Sequence, residues 1–318
     1  MMEVKLVAIG GILYLIRELK LSKEEKIKRR VKHQIKYFFR ERKICNSAEK
    51  YPPISSEDIE VFKWGYIISI DIDKICSYND IEKNEDYLKQ LFKAIEIKTG
   101  NSTGGRVEIE VITEKIEEIN YKFIELENTK LLCGHDSKSN PVMVDMLKTP
   151  HLLVTGLSNQ GKTGLIKTII KNLRNADIVL MNGFEDDFKG YEVRNIIGES
   201  NVLRYMEHLM ENLYTHDSPL YLIIEELGTI KDKKLLNIIK ELLCVARHYG
   251  IYIIGVIQIA TKEELKFKSY FNSRCSFKQL DSSSYQVALG CSVDKELNQR
   301  EFYLFTDNLY KGKTYTIQ

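Results

Sequence analysis

Along the second half of the chain, short wholly apolar runs alternate with stretches in which apolar residues return every three or four positions. The runs are Leu152–Val154, Leu220–Ile224 and Ile251 to Gln258. Such runs, free of polar alternation, predict strands covered on both faces in a parallel sheet. Leu165, Ile166, Ile169, Ile170 and Leu173 keep helical spacing, as do Leu235, Leu236, Ile238, Ile239, Leu242 and Leu243, after which Arg247 and His248 close the helix. Strand and helix in alternation predict an α/β core. The middle third differs. After the linker Tyr51-Pro52-Pro53, "WGYIISIDI" and "GGRVEIEVI" read as strands, and Tyr87 to Ile97 as a short amphipathic helix. "ITEKIEEINYKFIELE" is charged and expected to be exposed. Nearer the amino end, Ile27, Val31, Ile35, Phe38 and Phe39 form an apolar stripe on a helix crowded with Lys and Arg. The expected organisation is an apolar and basic helical segment at 1–50, an accessory α+β subdomain at 51–130, and an α/β nucleotide-binding domain at 131–318.

The chemistry begins where the first run ends. Gly156, Leu157, Ser158, Asn159, Gln160, Gly161, Lys162 and Thr163, followed by Gly164, satisfy G-x-x-x-x-G-K-[ST] between a strand and a helix. Glycines at 156 and 161 permit backbone angles that other residues resist. The free N–H groups opening the helix would face phosphates. Lys162 would reach the β and γ phosphates of ATP, and the Thr163 hydroxyl would take a place on Mg²⁺. A capped Gly-rich turn is the plainer alternative. The Leu220–Ile224 run delivers Glu225 and Glu226 to the carboxyl edge of the sheet. Glu225 would hold the magnesium hydration shell beside Thr163, and Glu226 would deprotonate the attacking water. A solvated acid pair is the alternative. Gln258, ending the third run, is read as a reporter of the γ-phosphate, or else as a capping amide.

From Lys130 to Gln318, and less strongly from about Ser55, the chain resembles the FtsK/SpoIIIE branch of the HerA/FtsK motor ATPases. The resemblance rests on "KLLCGHDSKSNPVMVDMLKTPHLLVTGLSNQGKT", "YLIIEELGTI", "VARHYGIYIIGVIQ" and "FNSRCSFKQLDSSSYQVALG", in the family's order. It implies a RecA-like P-loop NTPase core assembled as a hexameric ring, with double-stranded DNA in the pore and ATP at subunit interfaces. It also implies an accessory layer above the ATPase layer. By position, Lys162 and Thr163 match nucleotide-binding residues, Glu225 and Glu226 the Asp-Glu pair, Gln258 the Gln of a Thr-Gln motif, and Arg274 a family Arg. Three stretches depart from the pattern. Ser158-Asn159-Gln160 replaces Thr-Gly-Ser, "MENLY" (210–214) lacks two arginines, and Asn182-Gly183 stands where Asp-Pro-Lys is usual. Each leaves ATP binding intact and bears on motor speed or ring coupling.

Composition bounds the remainder. The chain has 318 residues, 43% of them hydrophobic, enough for one or two packed domains. Six cysteines without C-x-x-C spacing fit a reducing cytoplasm. The net charge of +2 hides an asymmetry: residues 1–43 carry 13 Lys or Arg against 5 acids, the remainder 34 against 40. The basic helix has three readings: contact with anionic lipid, contact with phosphates, or docking on the motor with its charges solvated. "LVAIGGILYLI" (6–16) precedes it and, spanning about 16 Å as a helix against roughly 30 Å of hydrocarbon, cannot cross a bilayer alone. The resulting expectation is a cytoplasmic, Mg²⁺-dependent ATPase that moves double-stranded DNA in plasmid, conjugative-element or phage transfer. Gln258 would relay γ-phosphate loss to pore loops, and the N-terminus offers a peripheral membrane contact. The alternatives are a nucleotide-gated coupling or scaffold protein, docking a relaxase or secretion channel with weak ATPase activity, and a small-molecule kinase.

Overall fold

The computed structural model describes residues 21–317 except 103, 215–216, 259–267 and 294–296. The segment "LVAIGGILYLI" lies outside the described residues. The chain forms two compact units that divide between Lys115 and Ile116.

The first unit is built on a four-stranded antiparallel sheet, β1 (Ile59–Phe62), β2 (Gly65–Asp71), β3 (Glu96–Ser102) and β4 (Arg106–Ile112), in the order β1-β2-β4-β3. Alternation in β2 and β4 sends Tyr66, Ile68, Ile70, Val107, Ile109 and Val111 inward. The basic helix is α1 (Lys23–Glu41), opened by a capping box in which the Glu25 N–H donates to Ser22 Oγ and the Ser22 N–H to Glu25 Oε2. Its stripe of Val31, Ile35, Phe38 and Phe39 is fully buried in the core of this unit's sheet. The stripe thus packs against this unit's own sheet, and not on the motor as one of the three readings expected. α2 (Tyr78–Glu82) and α3 (Glu85–Phe92) complete the unit. The helix expected to run to Ile97 stops at Phe92 because Lys93 turns left-handed (φ 51°), and Ile97 sits in β3.

The second unit carries a ten-stranded mixed sheet. Its strands are β5 (Lys130–His135), β6 (Pro141–Asp145), β7 (Leu152–Thr155), β8 (Asp177–Met181), β9 (Arg194–Ile196), β10 (Leu220–Ile224), β11 (Ile251–Ile257), β12 (Ser273–Ser276), β13 (Glu301–Phe305) and β14 (Leu309–Lys313). The order is β6-β5-β14-β13-β12-β7-β11-β10-β8-β9, parallel from β12 through β9 and antiparallel on the other flank. The helices are α4 (Lys162–Asn172), α5 (Glu199–Glu211), α6 (Lys233–Val245) and α7 (Ser282–Leu289). α4 packs Leu165, Ile166 and Ile169 on one face of the sheet with Leu152 and Val154, while α5, α6 and α7 cover the other face with Leu153. The parallel core is that of a P-loop NTPase. The antiparallel flank extends beyond the expected parallel sheet.

Residues 116–130, which the charge pattern grouped with the middle third, belong to this second unit. The reason is hydrogen bonding. Thr316 exchanges backbone bonds with Ile119 and Tyr121 (2.8 Å each), and the Asn172 side chain holds both the N–H and the C=O of Ile124. Likewise the basic helix shares one core with the middle-third sheet, so residues 21–115 are a single packed body. No helix of the described residues is long and apolar enough to cross a membrane.

Candidate nucleotide site

β7 ends at Thr155, and the loop that follows is shaped by what surrounds it. A Cβ on Gly156 would stand 2.6 Å from Phe277 Cβ, and one on Gly161 would stand 3.0 Å from the Phe277 ring; both residues have positive φ (142° and 120°). No side chain is tolerated at either position. Asn159 takes the left-handed conformation itself (φ 61°), one that Asn adopts at low cost. The segment after β12 braces the loop from below: Leu157 N–H donates to Lys278 O, and buried Gln279 donates to Thr155 Oγ1 and Ser276 Oγ. The Lys-Thr-Pro-His lead-in has a similar role. Ser273 Oγ meets Thr149, and neutral His151 Nδ1 accepts from Ile253 N–H at 3.0 Å. Burial holds the His151 pKa down at about 4, which keeps that acceptor available.

The Lys162 ammonium donates to the carbonyls of Gly156 (2.6 Å) and Leu157 (3.0 Å). Burial lowers its pKa, opposed by the charges of Glu225 and Glu226. In the parallel register Ile224 stands beside Gly255 and Thr155 beside Ile257, so the residues that follow β7, β10 and β11 share one edge of the sheet. There Ser158, Asn159, Lys162, Thr163, Glu225, Glu226 and Gln258 line a cleft of about 200 Å³.

Two consecutive acids leaving a strand would ordinarily point to opposite faces. Glu226 adopts left-handed angles (φ 54°, ψ 39°), which breaks the alternation and lets both line the cleft. Glu226 Oε1 accepts from Gln258 Nε2 (3.2 Å), and Gln258 Oε1 accepts from Ser158 Oγ (3.2 Å). A hydrogen-bonded bridge therefore joins the second acid to the phosphate loop. Glu225 is the more enclosed of the pair, and its Oε1 is buried without a partner. Burial pushes its carboxyl up to about 7, against the lowering effect of Lys162. A shielded, unpaired carboxylate oxygen beside a phosphate loop suits a hard divalent cation.

Glu225 also sets a pH dependence. Between about 4.5 and 7 the folded protein keeps a proton that the unfolded chain has released, so stability falls as pH rises through this window and levels off above it. The full penalty is on the order of 3 kcal/mol. Glu225→Gln is expected to raise the melting temperature of the nucleotide-free protein by roughly 5–10 °C at pH 8 and far less at pH 5. Equal gains at both pH values would show that charge burial is not the cause.

Several residues around the loop carry no sequence signal of their own. Asp187, from the Glu185–Phe188 turn after β8, lines the same cleft, and exposed Phe184 stands at its wall. On the other side of the α4 N-terminus, Gln299 donates to Asn159 O and Arg300 N–H to Gln160 O. Arg274 is not in the cleft. It sits early in β12, beside Leu153, with its guanidinium donating to the carbonyls of Phe271 and Leu289.

No family model matches the chain. Among curated proteins it is similar to the DNA translocase FtsK of Staphylococcus aureus strain Mu50, with 22% identity covering 64% of this chain and 33% of the relative; the strain COL protein matches to the same extent. The chain thus spans about a third of the length of the curated relatives it matches. Among solved structures, the pCW3 conjugation coupling protein TcpA, in its monomer form with ATPγS, superposes with a TM-score of 0.58 at 14% identity over 89% of this chain and 94% of that one. Thermomonospora curvata EccC (ATPases 2 and 3), in complex with a signal sequence peptide, superposes with a TM-score of 0.52 at 15% identity over 82% of this chain and 53% of that one. These likenesses are of fold.

Proposed function

We propose that this chain, a P-loop ATPase of the FtsK/SpoIIIE type, hydrolyses ATP to move double-stranded DNA in a transfer process of the conjugative kind. The observation that carries the reading is the Ser158–Gln258–Glu226 bridge, which ties a carboxylate on β10's edge to the phosphate loop within one cleft. The backbone N–H groups at 161–164 and the Lys162 ammonium would hold the β and γ phosphates. Thr163 and Glu225 would hold Mg²⁺, which neutralises phosphate charge when bound. Glu226 accepts the proton of the water that attacks the γ-phosphate, and Gln258 orients Glu226 for that task. Once the γ-phosphate leaves, Ser158 and Gln258 are free to re-form their contact, so the bridge reports nucleotide state.

The proposal places the protein on the cytoplasmic side, in a homo-oligomeric ring around duplex DNA, docking on a relaxase or a secretion channel. The printed descriptions of the relatives, a DNA translocase and a conjugation coupling protein, support that setting. A second reading, a nucleotide-gated coupling protein with weak ATPase activity, draws on "MENLY", where two family arginines are absent, and on Asn182. Asn182 Oδ1 accepts from Gly198 N–H, so its side chain is engaged in holding the β9–α5 turn.

Duplex DNA separates the two readings. For a motor, steady-state ATPase activity rises severalfold with linear duplex, and the stimulation falls steeply between about 50 and 200 mM salt as phosphate contacts are screened. Activity indifferent to duplex sinks the motor reading and favours the coupling protein.

A further inference from the structure

Burying the apolar stripe of α1 in its own sheet leaves the opposite side of the helix to solvent. Lys26, Arg30, His33, Tyr37 and Arg40 are all exposed. Their spacing of four, three, four and three residues sets them in one line along the helix. At 1.5 Å per residue that line runs about 21 Å. From Lys26 to Arg40 the sequence carries seven Lys or Arg and no acid. The acids that precede it are engaged, Glu24 with Lys28 (2.8 Å) and Glu25 in the capping box with Ser22.

Such a helix is unfavourable on its own. Lys26 and Arg30, Lys28 and Lys32, Lys32 and Lys36, and Lys36 and Arg40 are like charges four residues apart, and each such pair destabilises a helix. What holds α1 is elsewhere. The stripe of Val31, Ile35, Phe38 and Phe39 is buried, Gln34 Nε2 donates to Leu91 O (2.8 Å), and the Arg42 guanidinium lies 3.9 Å from the centre of the Tyr87 ring. None of these anchors uses Lys26, Arg30 or Arg40, so the line of charge is held in place without taking part in the holding.

Resting on the duplex-DNA reading above, we propose that this face of α1 grips the phosphate backbone of duplex DNA. It is a contact within the first unit, built from residues other than those of the nucleotide cleft in the second. The charges are complementary: a duplex carries about twelve phosphates over 21 Å of its axis. Neutralising the like-charge pairs of α1 adds to the attraction. The contact is indifferent to base sequence, because cations on phosphates fix position and carry no sequence information. An anionic bilayer is the competing polyanion. A helix that lies in a bilayer surface does so by burying its apolar face at the acyl boundary, and in α1 that face is already inside the protein. The burial favours the duplex.

The test measures binding of the nucleotide-free full chain to a linear duplex by fluorescence anisotropy across a salt series. Lys26→Gln, Arg30→Gln and Arg40→Gln, combined in one chain, are expected to weaken binding by about tenfold or more at about 0.1 M salt. They also flatten the slope of log affinity against log salt by about 2 to 3, since each neutralised phosphate contributes about 0.9. Basal ATPase activity stays at the wild-type value. The charge-keeping combination Lys26→Arg, Arg30→Lys and Arg40→Lys binds as the wild type does. Should the neutral combination fail to fold, Arg30→Gln alone is expected to flatten the slope by about 0.9. The proposal is overturned if the neutral variants keep the wild-type affinity and slope, or if the charge-keeping combination loses as much as the neutral one. It is also overturned if the neutral combination loses binding to vesicles of equal phosphatidylserine and phosphatidylcholine while duplex binding is intact, which assigns the face to lipid. The motor reading fails on a separate measurement: wild-type ATPase activity indifferent to a duplex that the chain binds.

Discussion

A Lys162→Ala protein is expected to fold and to lose ATP affinity by about two to three orders of magnitude. The ammonium makes two hydrogen bonds to the loop carbonyls of Gly156 and Leu157 in the nucleotide-free protein. On the proposed reading these would be exchanged for bonds to phosphate oxygens in the complex. A hydrogen bond to a charged group contributes about 1.5–3 kcal/mol, so losing two such bonds accounts for a change of that size. Removing the side chain acts on the neighbouring acid as well. Lys162 is the charge that most offsets the burial of Glu225. Without it the Glu225 carboxyl titrates at still higher pH, and the pH dependence of stability shifts upward with it. Titration calorimetry gives the affinity, and melting curves at several pH values give the shift. Retention of near-wild-type affinity would mean that the phosphates bind elsewhere.

The parts of this site that are legible in the sequence are those whose signal is local. β7, its loop and α4 follow one another within a single stretch, so an apolar run, two glycines with Lys-Thr, and a helical spacing are enough to place them. Glu225 and Gln258 are each the first polar residue after an apolar run, with Glu226 next to Glu225, and a parallel sheet brings such residues to one edge wherever their strands fall in sequence. Asp187 escapes notice because its turn is one acidic stretch among many. Arg300 escapes because its placement depends on β13 and β14 pairing antiparallel with strands far away in sequence, and such pairings leave no period to read. The basic helix shows the same division. Its stripe is written in the spacing of Val31, Ile35 and Phe38, whereas the surface that receives the stripe is the β2 and β4 face, which nothing near the helix encodes. The end of α3 depended on one left-handed residue, Lys93, of a type with no preference for that conformation.

Glu226→Gln is expected to leave ATP affinity within about threefold of wild type and to lower kcat by about two to four orders of magnitude. The substitution preserves shape, and the amide oxygen can still accept from Gln258 Nε2, as Glu226 Oε1 does at 3.2 Å. The left-handed backbone at 226 is as open to Gln as to Glu, so the turn that brings both acids into the cleft is retained. What disappears is the capacity to take a proton. A loss of turnover with binding intact therefore assigns the defect to chemistry, whereas the Glu225→Gln change acts on the enclosed oxygen that suits a cation and should raise the magnesium concentration needed for activity. Gln258→Ala supplies the complementary case: it leaves Glu226 able to accept a proton but removes the link to Ser158, so catalysis should weaken without being abolished. If Glu226→Gln hydrolyses ATP at the wild-type rate, Glu226 is not the base, and Asp187, the third acid of the cleft, becomes the residue to test.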